Sequence, residues 1–168
     1  MNHASPNRGE WHCTHFRDLS PDDLHDIMAL RAAVFVVEQR CAYQDPDGAD
    51  KVSHHLWCRG SNGEMIAYLR IVPPGISYTE PSLGRIITSA SARGMGLGRD
   101  LVREGIAQLQ RQYGVCPIRI GAQRYLVKFY ERLGFARTGH DYYEDAIAHS
   151  EMLRGPELPE GRKGQGAR

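Results

Sequence analysis

The glycine-rich segment Arg93-Gly94-Met95-Gly96-Leu97-Gly98 has residue types and a spacing that point directly to chemistry. It lies between a predicted strand and a predicted helix, where backbone amides point outward and the helix N-terminus adds partial positive charge. Glycine lets the backbone approach a ligand closely or adopt positive φ. Arg93 and Arg99 flank the turn and can add charge-assisted hydrogen bonds. We therefore predict a site for phosphate oxygens at this turn.

Two widespread phosphate-binding motifs differ from the turn. A P-loop needs Lys-Ser or Lys-Thr after its last glycine, and no such pair follows Gly98. A dinucleotide fingerprint, Gly-x-Gly-x-x-Gly, is broken at its final position by Arg99. A glycine-rich helix start without any ligand is the remaining alternative, although a run of glycines is entropically costly to order without a use.

The turn resembles the first signature of the Gcn5-related N-acetyltransferases (GNAT), Arg/Gln-x-x-Gly-x-Gly/Ala, through Arg93, Gly96 and Gly98. Further along the chain, Phe129-Tyr130-Glu131-Arg132-Leu133-Gly134-Phe135 resembles the second signature, a helix that ends in Phe/Leu-Tyr-x-x-x-Gly-Phe. The two motifs stand at the spacing and in the element order of the family, which makes them more specific together than alone.

Further segments are similar to the ElaA-type subgroup of that family, and the similarity runs from Leu30 to Leu153. They are Arg31-Ala32-Ala33-Val34-Phe35-Val36-Val37-Glu38-Gln39-Arg40-Cys41, Tyr43-Gln44-Asp45, Gly84-Arg85-Ile86-Ile87, Gly121-Ala122-Gln123, Tyr143-Glu144-Asp145 and His149. The resemblance implies a GNAT-like α/β (α+β) fold. Such a fold has a mixed, mostly antiparallel central sheet, helices on both faces, and splayed strands at the cofactor site.

The resemblance also implies acetyl-CoA as the co-substrate, and no metal. Family members bond pantetheine amides to the strand before the turn, so cofactor contacts are expected at Ile86, Ile87 and Thr88. The pyrophosphate is expected on a run of amides beside Arg93, namely those of Gly94, Met95, Gly96, Leu97, Gly98 and Arg99. The second signature adds Phe129 and Tyr130. Gln123 stands where many members carry an Asn that bonds the pantetheine arm.

For catalysis the resemblance implies that the phenol of Tyr130 is the general acid that protonates the departing CoA thiolate; core packing is the alternative role. A general base is needed because only the neutral form of an amine is nucleophilic. The candidates are Glu38, His54 and His149. Glu38 ends the first predicted helix beside the loop that covers the acceptor pocket in the family, and if buried it would also bind a cationic substrate. For the two histidines, a hydrogen-bonded structural imidazole is the alternative.

The expected reaction is transfer of an acetyl group to a primary amine of a small molecule or peptide by direct attack, with no covalent enzyme intermediate. Polyamines, amino acids, aminoglycosides and protein amines are all open as acceptors. One rival is a transferase for a longer acyl-CoA or acyl-carrier substrate, because Val34-Phe35-Val36-Val37-Glu38-Gln39 is also similar to acyl-homoserine-lactone synthases. A second rival is a non-catalytic module that senses CoA.

Hydrophobic periodicity predicts the elements that must position these residues. Helices are predicted from Pro21 to about Glu38 with Ser20 as N-cap, from Leu97 to Tyr113, and from Tyr125 to Leu133. Strands are predicted at 11–17, 54–59, 64–72, 83–88, 117–121, 134–140 and 147–153, with a hairpin turn at 61–63 and a polar loop at 41–53.

The composition describes one domain. The 168 residues divide into a flexible N-terminus at 1–10, an acetyltransferase domain at 11–154 and a flexible tail at 155–168. A net charge of +1 gives no electrostatic footprint for nucleic acid or an anionic membrane. The chain shows no signal peptide, no apolar run of membrane-spanning length and no Cys-x-x-Cys pair, so a soluble cytoplasmic domain with reduced thiols is expected. A homodimer is the commonest oligomer of such proteins.

Two metal-like patterns are discounted. Asp45-x-Asp47-Gly48-x-Asp50 is similar to the start of a calcium loop, but Leu56 stands where the loop needs its bidentate Glu. His54-His55-x-x-Cys58 suggests zinc, but alternation along a strand sends adjacent histidines to opposite faces. We expect no metal site at either pattern.

Overall fold

The computed structural model describes residues 9–156. Most of the two predicted flexible ends, residues 1–8 and 157–168, therefore lies outside the described residues. Helix α1 spans Pro21–Arg31 and continues as a π-helical segment, Ala32–Glu38; α2 spans Leu97–Tyr113 and α3 spans Val127–Glu131. The strands are β1 (Glu10–His15), β2 (His54–Arg59), β3 (Met65–Val72), β4 (Ser82–Thr88), β5 (Ile118–Gln123), β6 (Phe135–Glu144) and β7 (Ile147–Arg154).

The strands form one seven-stranded sheet in the order β1-β2-β3-β4-β5-β7-β6. All neighbouring strands are antiparallel except β4 and β5, which are parallel and pair at Ser82 and Arg119 alone. Beyond that pair the two strands diverge, so their inner edges are left without a ladder. The predicted mixed, mostly antiparallel sheet with a splay next to the glycine-rich turn is confirmed.

Helices cover both faces of the sheet. On one face α2 presents the apolar stripe predicted from its sequence, including Leu101, Val102 and Leu109, to the inward-facing residues of β3, β4 and β5. Gly105 lets this helix approach closely, since a Cβ there would lie 2.7 Å from a methyl carbon of Leu69. On the other face α1 packs Ile27, together with further apolar residues, against Trp57 and Tyr68.

The first helix is not a continuous α-helix to Glu38. Its start is confirmed, because the Ser20 hydroxyl accepts a hydrogen bond from the Asp23 amide at 3.0 Å. From Ala32 onward the backbone is π-helical, and the Gln39 amide donates to the carbonyl of Val34. Three of the seven residues in this segment are valines, whose β-branched side chains crowd the preceding turn of an α-helix. The wider turn changes which side chains at the end of the helix face the sheet.

Other element boundaries also differ from the predictions. The segment 41–53 contains a 3-10 turn, Gly48–Val52, capped by Asp47 and with a buried Asp50. The predicted helix from Tyr125 is shorter, because Arg124–Leu126 forms a 3-10 turn before α3 begins. β5 and β6 each extend further toward the C-terminus than predicted. The β2–β3 hairpin turn is confirmed, with Gly63 at φ 82°.

Candidate active site

A cleft of about 810 Å³ opens where β4 and β5 part. The residues predicted to touch the pantetheine, Ile86, Ile87 and Thr88, line it from β4. Gln123 lines it from the end of β5, and its side-chain amide lies 3.4 Å from the Oε1 atom of Gln39. The splay thus brings together strand-edge peptide groups and one amide side chain, a set suited to bonding an amide-containing chain.

The glycine-rich turn lies at the open end of this gap and leads directly into α2. Gly94 and Gly96 have φ values of 83° and 77°, a left-handed conformation that strains any residue with a Cβ. The amides of Leu97, Gly98 and Arg99 belong to the first turn of the helix, where no intrahelical acceptor exists. The turn therefore presents free donors and the positive end of a helix dipole.

The second predicted motif lies against the first. A Cβ on Gly98 would be 3.9 Å from the ring of Phe129, so the start of α2 packs on that ring. Phe129 is not among the residues that line the cleft, whereas Tyr130 lines it. The ring of Tyr130 is 5 % exposed and makes edge-on contacts with Phe129 and Phe135. Burial raises the pKa of Tyr130 well above its usual value, so the phenol is neutral and carries a proton at pH 7.

Arg93 and Glu38 bind each other at the same end of the cleft. Nη1 and Nη2 of Arg93 donate to the two carboxylate oxygens of Glu38 at 2.6 and 3.0 Å, and Nη2 also donates to the carbonyl of Thr88 at 3.2 Å. The predicted burial of Glu38, which would have suited it to bind a cationic substrate, is wrong, because its side chain is 45 % exposed. The π-helical turn carries Glu38 outward, toward the glycine-rich turn.

His149 lies inside the cleft, on β7. Its Nδ1 atom is 2.8 Å from the carbonyl oxygen of Ile147. Because a carbonyl can only accept, Nδ1 carries the proton of the neutral imidazole, and Nε2 is left with a free lone pair. This is the arrangement that a general base requires.

His54 lies elsewhere. It sits on β2, where its ring packs edge-on against His15 with 5.1 Å between ring centroids, and it is not among the residues that line the cleft. Burial is the largest cause of its lowered pKa, and the nearby His15 lowers the pKa further. The structure thus brings Glu38, His149 and Tyr130 to one cleft but places His54 outside it.

Three arginines and three aspartates form a charge network that was not predicted from the sequence, and Asp47, Arg70 and Arg85 of this network line the cleft. Arg31 is fully buried, and its guanidinium donates to Asp45 and Asp50, both at 2.7 Å. Arg70 donates to Asp50 at 2.8 Å and also binds Asp47. Arg85, at a left-handed φ of 53°, binds the remaining oxygen of Asp45 at 2.8 Å. The carboxylates of the calcium-like pattern are therefore ligands of arginines.

A signal for this network existed in the sequence. Arg70 interrupts the otherwise apolar strand Met65–Val72, and a charge in such a strand requires a buried partner. The acids lie only a few residues apart in the 41–53 segment, but nothing in their spacing indicates which arginines they bind.

One wall of the cleft is aromatic. Tyr142 stacks with both His140 and His149, with ring centroids 5.6 and 5.3 Å apart. All three line the cleft, together with Tyr78 from the segment between β3 and β4. None of His140, Tyr142 and Tyr78 was predicted, because only the pairing of β6 with β7 and the path of the β3–β4 connection bring them to the site.

Within residues 9–156, no group of three or more His, Cys, Asp or Glu side chains is arranged to hold a metal ion. No helix in that part of the chain is long and apolar enough to cross a membrane.

Comparison with known proteins places this geometry in a family. The family model for an acetyltransferase (GNAT) domain matches residues 25–154. A UPF0039 protein of Synechocystis sp. is 42% identical over 143 residues, which cover 85% of this chain and 93% of that protein. Protein ElaA of Escherichia coli is 36% identical over 146 residues, covering 86% of this chain and 95% of ElaA.

Solved structures agree with these relatives. The crystal structure of an acyl-CoA N-acyltransferase from Pseudomonas aeruginosa superimposes with a TM-score of 0.81 at 36% identity, covering 87% of this chain and 99% of that one. The crystal structure of Escherichia coli ElaA gives a TM-score of 0.79 at 36% identity, with the same coverage. Acyl-CoA is the co-substrate of the family and N-acyl transfer is its reaction. The chain belongs to the GNAT superfamily and, within it, to the ElaA-like group.

Proposed function

We propose that this protein transfers the acetyl group of acetyl-CoA to a primary amine by direct attack. The observation that carries the proposal is the junction of two features: a glycine-rich turn with left-handed glycines and free amides, and a gap between β4 and β5 that opens beside it. A diphosphate on the amides and a pantetheine arm along the strand edge of Ile86, Ile87 and Thr88 would bring the thioester into the cleft.

In the proposed reaction, the amine nitrogen forms a bond to the thioester carbonyl carbon, and the bond from that carbon to sulfur breaks. Tyr130 donates its phenolic proton to the departing sulfur, because its buried phenol stays neutral and keeps that proton at pH 7. The amine proton passes to Nε2 of His149, directly or through water. Glu38 serves as base only when its bond to Arg93 is broken, and His54 has no access to the cleft.

Calorimetric titration with CoA tests the turn, with Gly96→Glu as the variant. A side chain at Gly96 strains a left-handed position and puts negative charge where the diphosphate would lie, so measurable binding should disappear. Gly114→Glu is the matched control, because Gly114 has a φ of 76° and caps the other end of the same helix. Equal CoA affinity in both variants would show that the turn does not bind the diphosphate.

Release of free thiol from acetyl-CoA, screened against polyamines, amino acids, aminoglycosides and lysine peptides, tests the reaction itself. Thiol release with at least one amine is the expected result. Tight CoA binding without thiol release in any mixture would favour the CoA-sensing alternative.

A further inference from the structure

Two tyrosine hydroxyls converge on Gly121, at the cleft side of β5. A Cβ atom built on Gly121 would overlap the hydroxyl of Tyr142 and would lie 3.2 Å from the hydroxyl of Tyr78. The two hydroxyls therefore lie close to each other. Gly121 is therefore the place where a side chain from β6 and one from the β3–β4 connection close over the sheet.

Tyr142 is held firmly in this position. Its ring stacks with the rings of both His140 and His149, and its hydroxyl lies beside that of Tyr78 over Gly121. Burial raises the pKa of both phenols, so each is neutral at pH 7. A planar ring that stacks with two others has few alternative rotamers, so Tyr142 forms a fixed wall.

The wall stands near the closed end of the gap between β4 and β5. The strands are joined at Ser82 and Arg119, and in that register Gly84 and Gly121 are the next residues on the cleft face. A Cβ at Gly84 would make ordinary contact with Nε of Arg70, at 3.6 Å. Tyr142 over Gly121 and Arg70 over Gly84 therefore bound a short space beyond the point where the two strands diverge.

We propose that Tyr142, braced by Tyr78, is the residue that limits the length of the transferred acyl group to acetyl or propionyl. The inference rests on the proposed function, since it places the thioester in the gap with its acyl group directed toward Gly121. A longer aliphatic chain would have to displace this stacked ring. Each methylene group that a closed pocket excludes weakens binding by about tenfold or more.

The test measures binding of free CoA and of acetyl-, butyryl-, hexanoyl- and octanoyl-CoA by calorimetry, which requires no acceptor. In the unaltered protein, hexanoyl- and octanoyl-CoA should bind at least about tenfold more weakly than acetyl-CoA. In Tyr142→Ala this ratio should move at least about tenfold toward the longer chains, while affinity for free CoA is unchanged. Tyr143→Ala is the matched control, because the side chain of Tyr143, the next residue, is 74% exposed and does not line the cleft.

Tyr142→Phe, which keeps the stacked ring and loses only the hydroxyl, covers the case in which Tyr142→Ala does not fold. It should tolerate butyryl-CoA better than the unaltered protein and should still reject octanoyl-CoA. Two results would contradict the role of Tyr142 without contradicting the proposed function. One is an unchanged ratio of long-chain to acetyl-CoA affinity in the folded Tyr142 variants, and the other is equal binding of octanoyl- and acetyl-CoA by the unaltered protein. Failure of the unaltered protein to bind free CoA would instead contradict the proposed function.

Discussion

Arg93 carries the chemistry of a phosphate ligand, yet its guanidinium is bound by both carboxylate oxygens of Glu38. The two side chains are 41% and 45% exposed, and an ion pair in such a position contributes about 1 kcal/mol or less, because water screens it. A diphosphate carries more negative charge than one carboxylate and accepts the same paired donors. The ion pair would therefore compete only weakly with the proposed binding of a diphosphate by Arg93.

Replacing Glu38 by Gln should tighten CoA binding by about two- to fivefold. The variant loses the carboxylate that competes with the diphosphate for Arg93, and that ion pair is worth about 1 kcal/mol. Arg93→Gln should weaken binding, and its effect should shrink as salt is added. Calorimetry at low and high ionic strength measures both effects. Glu104→Gln removes the same charge from α2 at a position that does not line the cleft and serves as the control. Weaker binding in Glu38→Gln would mean that the carboxylate supports the turn rather than competing with the ligand.

Tyr130 has two roles to separate, proton donor and core residue. Tyr130→Phe keeps the edge-on ring contacts with Phe129 and Phe135 and removes the proton. We expect turnover to fall by about a hundredfold or more, with affinity for acetyl-CoA nearly unchanged. Steady-state rates with the best amine measure the effect, and Tyr113→Phe, at the far end of α2, is the control. Equal turnover would leave Tyr130 with a packing role alone.

At the scale of elements, the segment 41–53 is attached from three sides. Arg31 from α1, Arg70 from β3 and Arg85 from β4 each bind its aspartates, so the wall it forms is anchored to both helix and sheet. The network sums to no net charge, because three guanidinium groups face three carboxylates. Breaking one member leaves a buried partner uncompensated, which costs about 3–5 kcal/mol.

Asp50 makes this anchoring depend on pH. Burial alone would raise the pKa of Asp50, but hydrogen bonds and charge from Arg31 and Arg70 outweigh it and lower the pKa to about 2. A carboxyl with a lowered pKa stabilises the fold above its unfolded pKa, and that stabilisation is lost as the pH falls toward about 2. We expect the free energy of unfolding to drop by about 2 kcal/mol between pH 5 and the folded pKa.

Urea unfolding at pH 7 and pH 3 checks this. In Asp50→Asn, stability at pH 7 should fall by about 3 kcal/mol, and the acid-dependent loss should become smaller. Asp18→Asn, on an exposed turn, should leave both quantities as they were. An Asp50→Asn protein as stable as the original at pH 7 would show that the arginines find other partners.

Local features of the site were predictable from sequence, and distant pairings were not. The glycine-rich turn and the stripe of α2 depend on residues close together in the chain, and both predictions hold. The π-helical end of α1 has no pattern of its own, so the outward position of Glu38 was not predicted. Arg85 meets Asp45 across forty positions of the chain, and the aromatic wall needs the register of β6 on β7.

At the scale of the whole molecule, sheet order follows from a few rules, but the site follows from an exception to them. Antiparallel neighbours and a crossover through α2 account for the order of β3, β4 and β5. The functional cleft exists because the parallel pair fails to continue past Ser82 and Arg119. The motifs on either side imply this divergence only through their resemblance to a family, since no residue pattern within β4 or β5 encodes it.

That interrupted ladder also decides how the protein would respond to force. The sheet consists of two bonded blocks, β1 to β4 and β5 to β6, which share one rung and the packing of helices beneath them. Force applied across the strands should separate the sheet between β4 and β5, where the strands pair at one position only. A coenzyme bound in this gap, as proposed, would link the two strand edges, so the force needed to unfold the protein should increase with coenzyme occupancy.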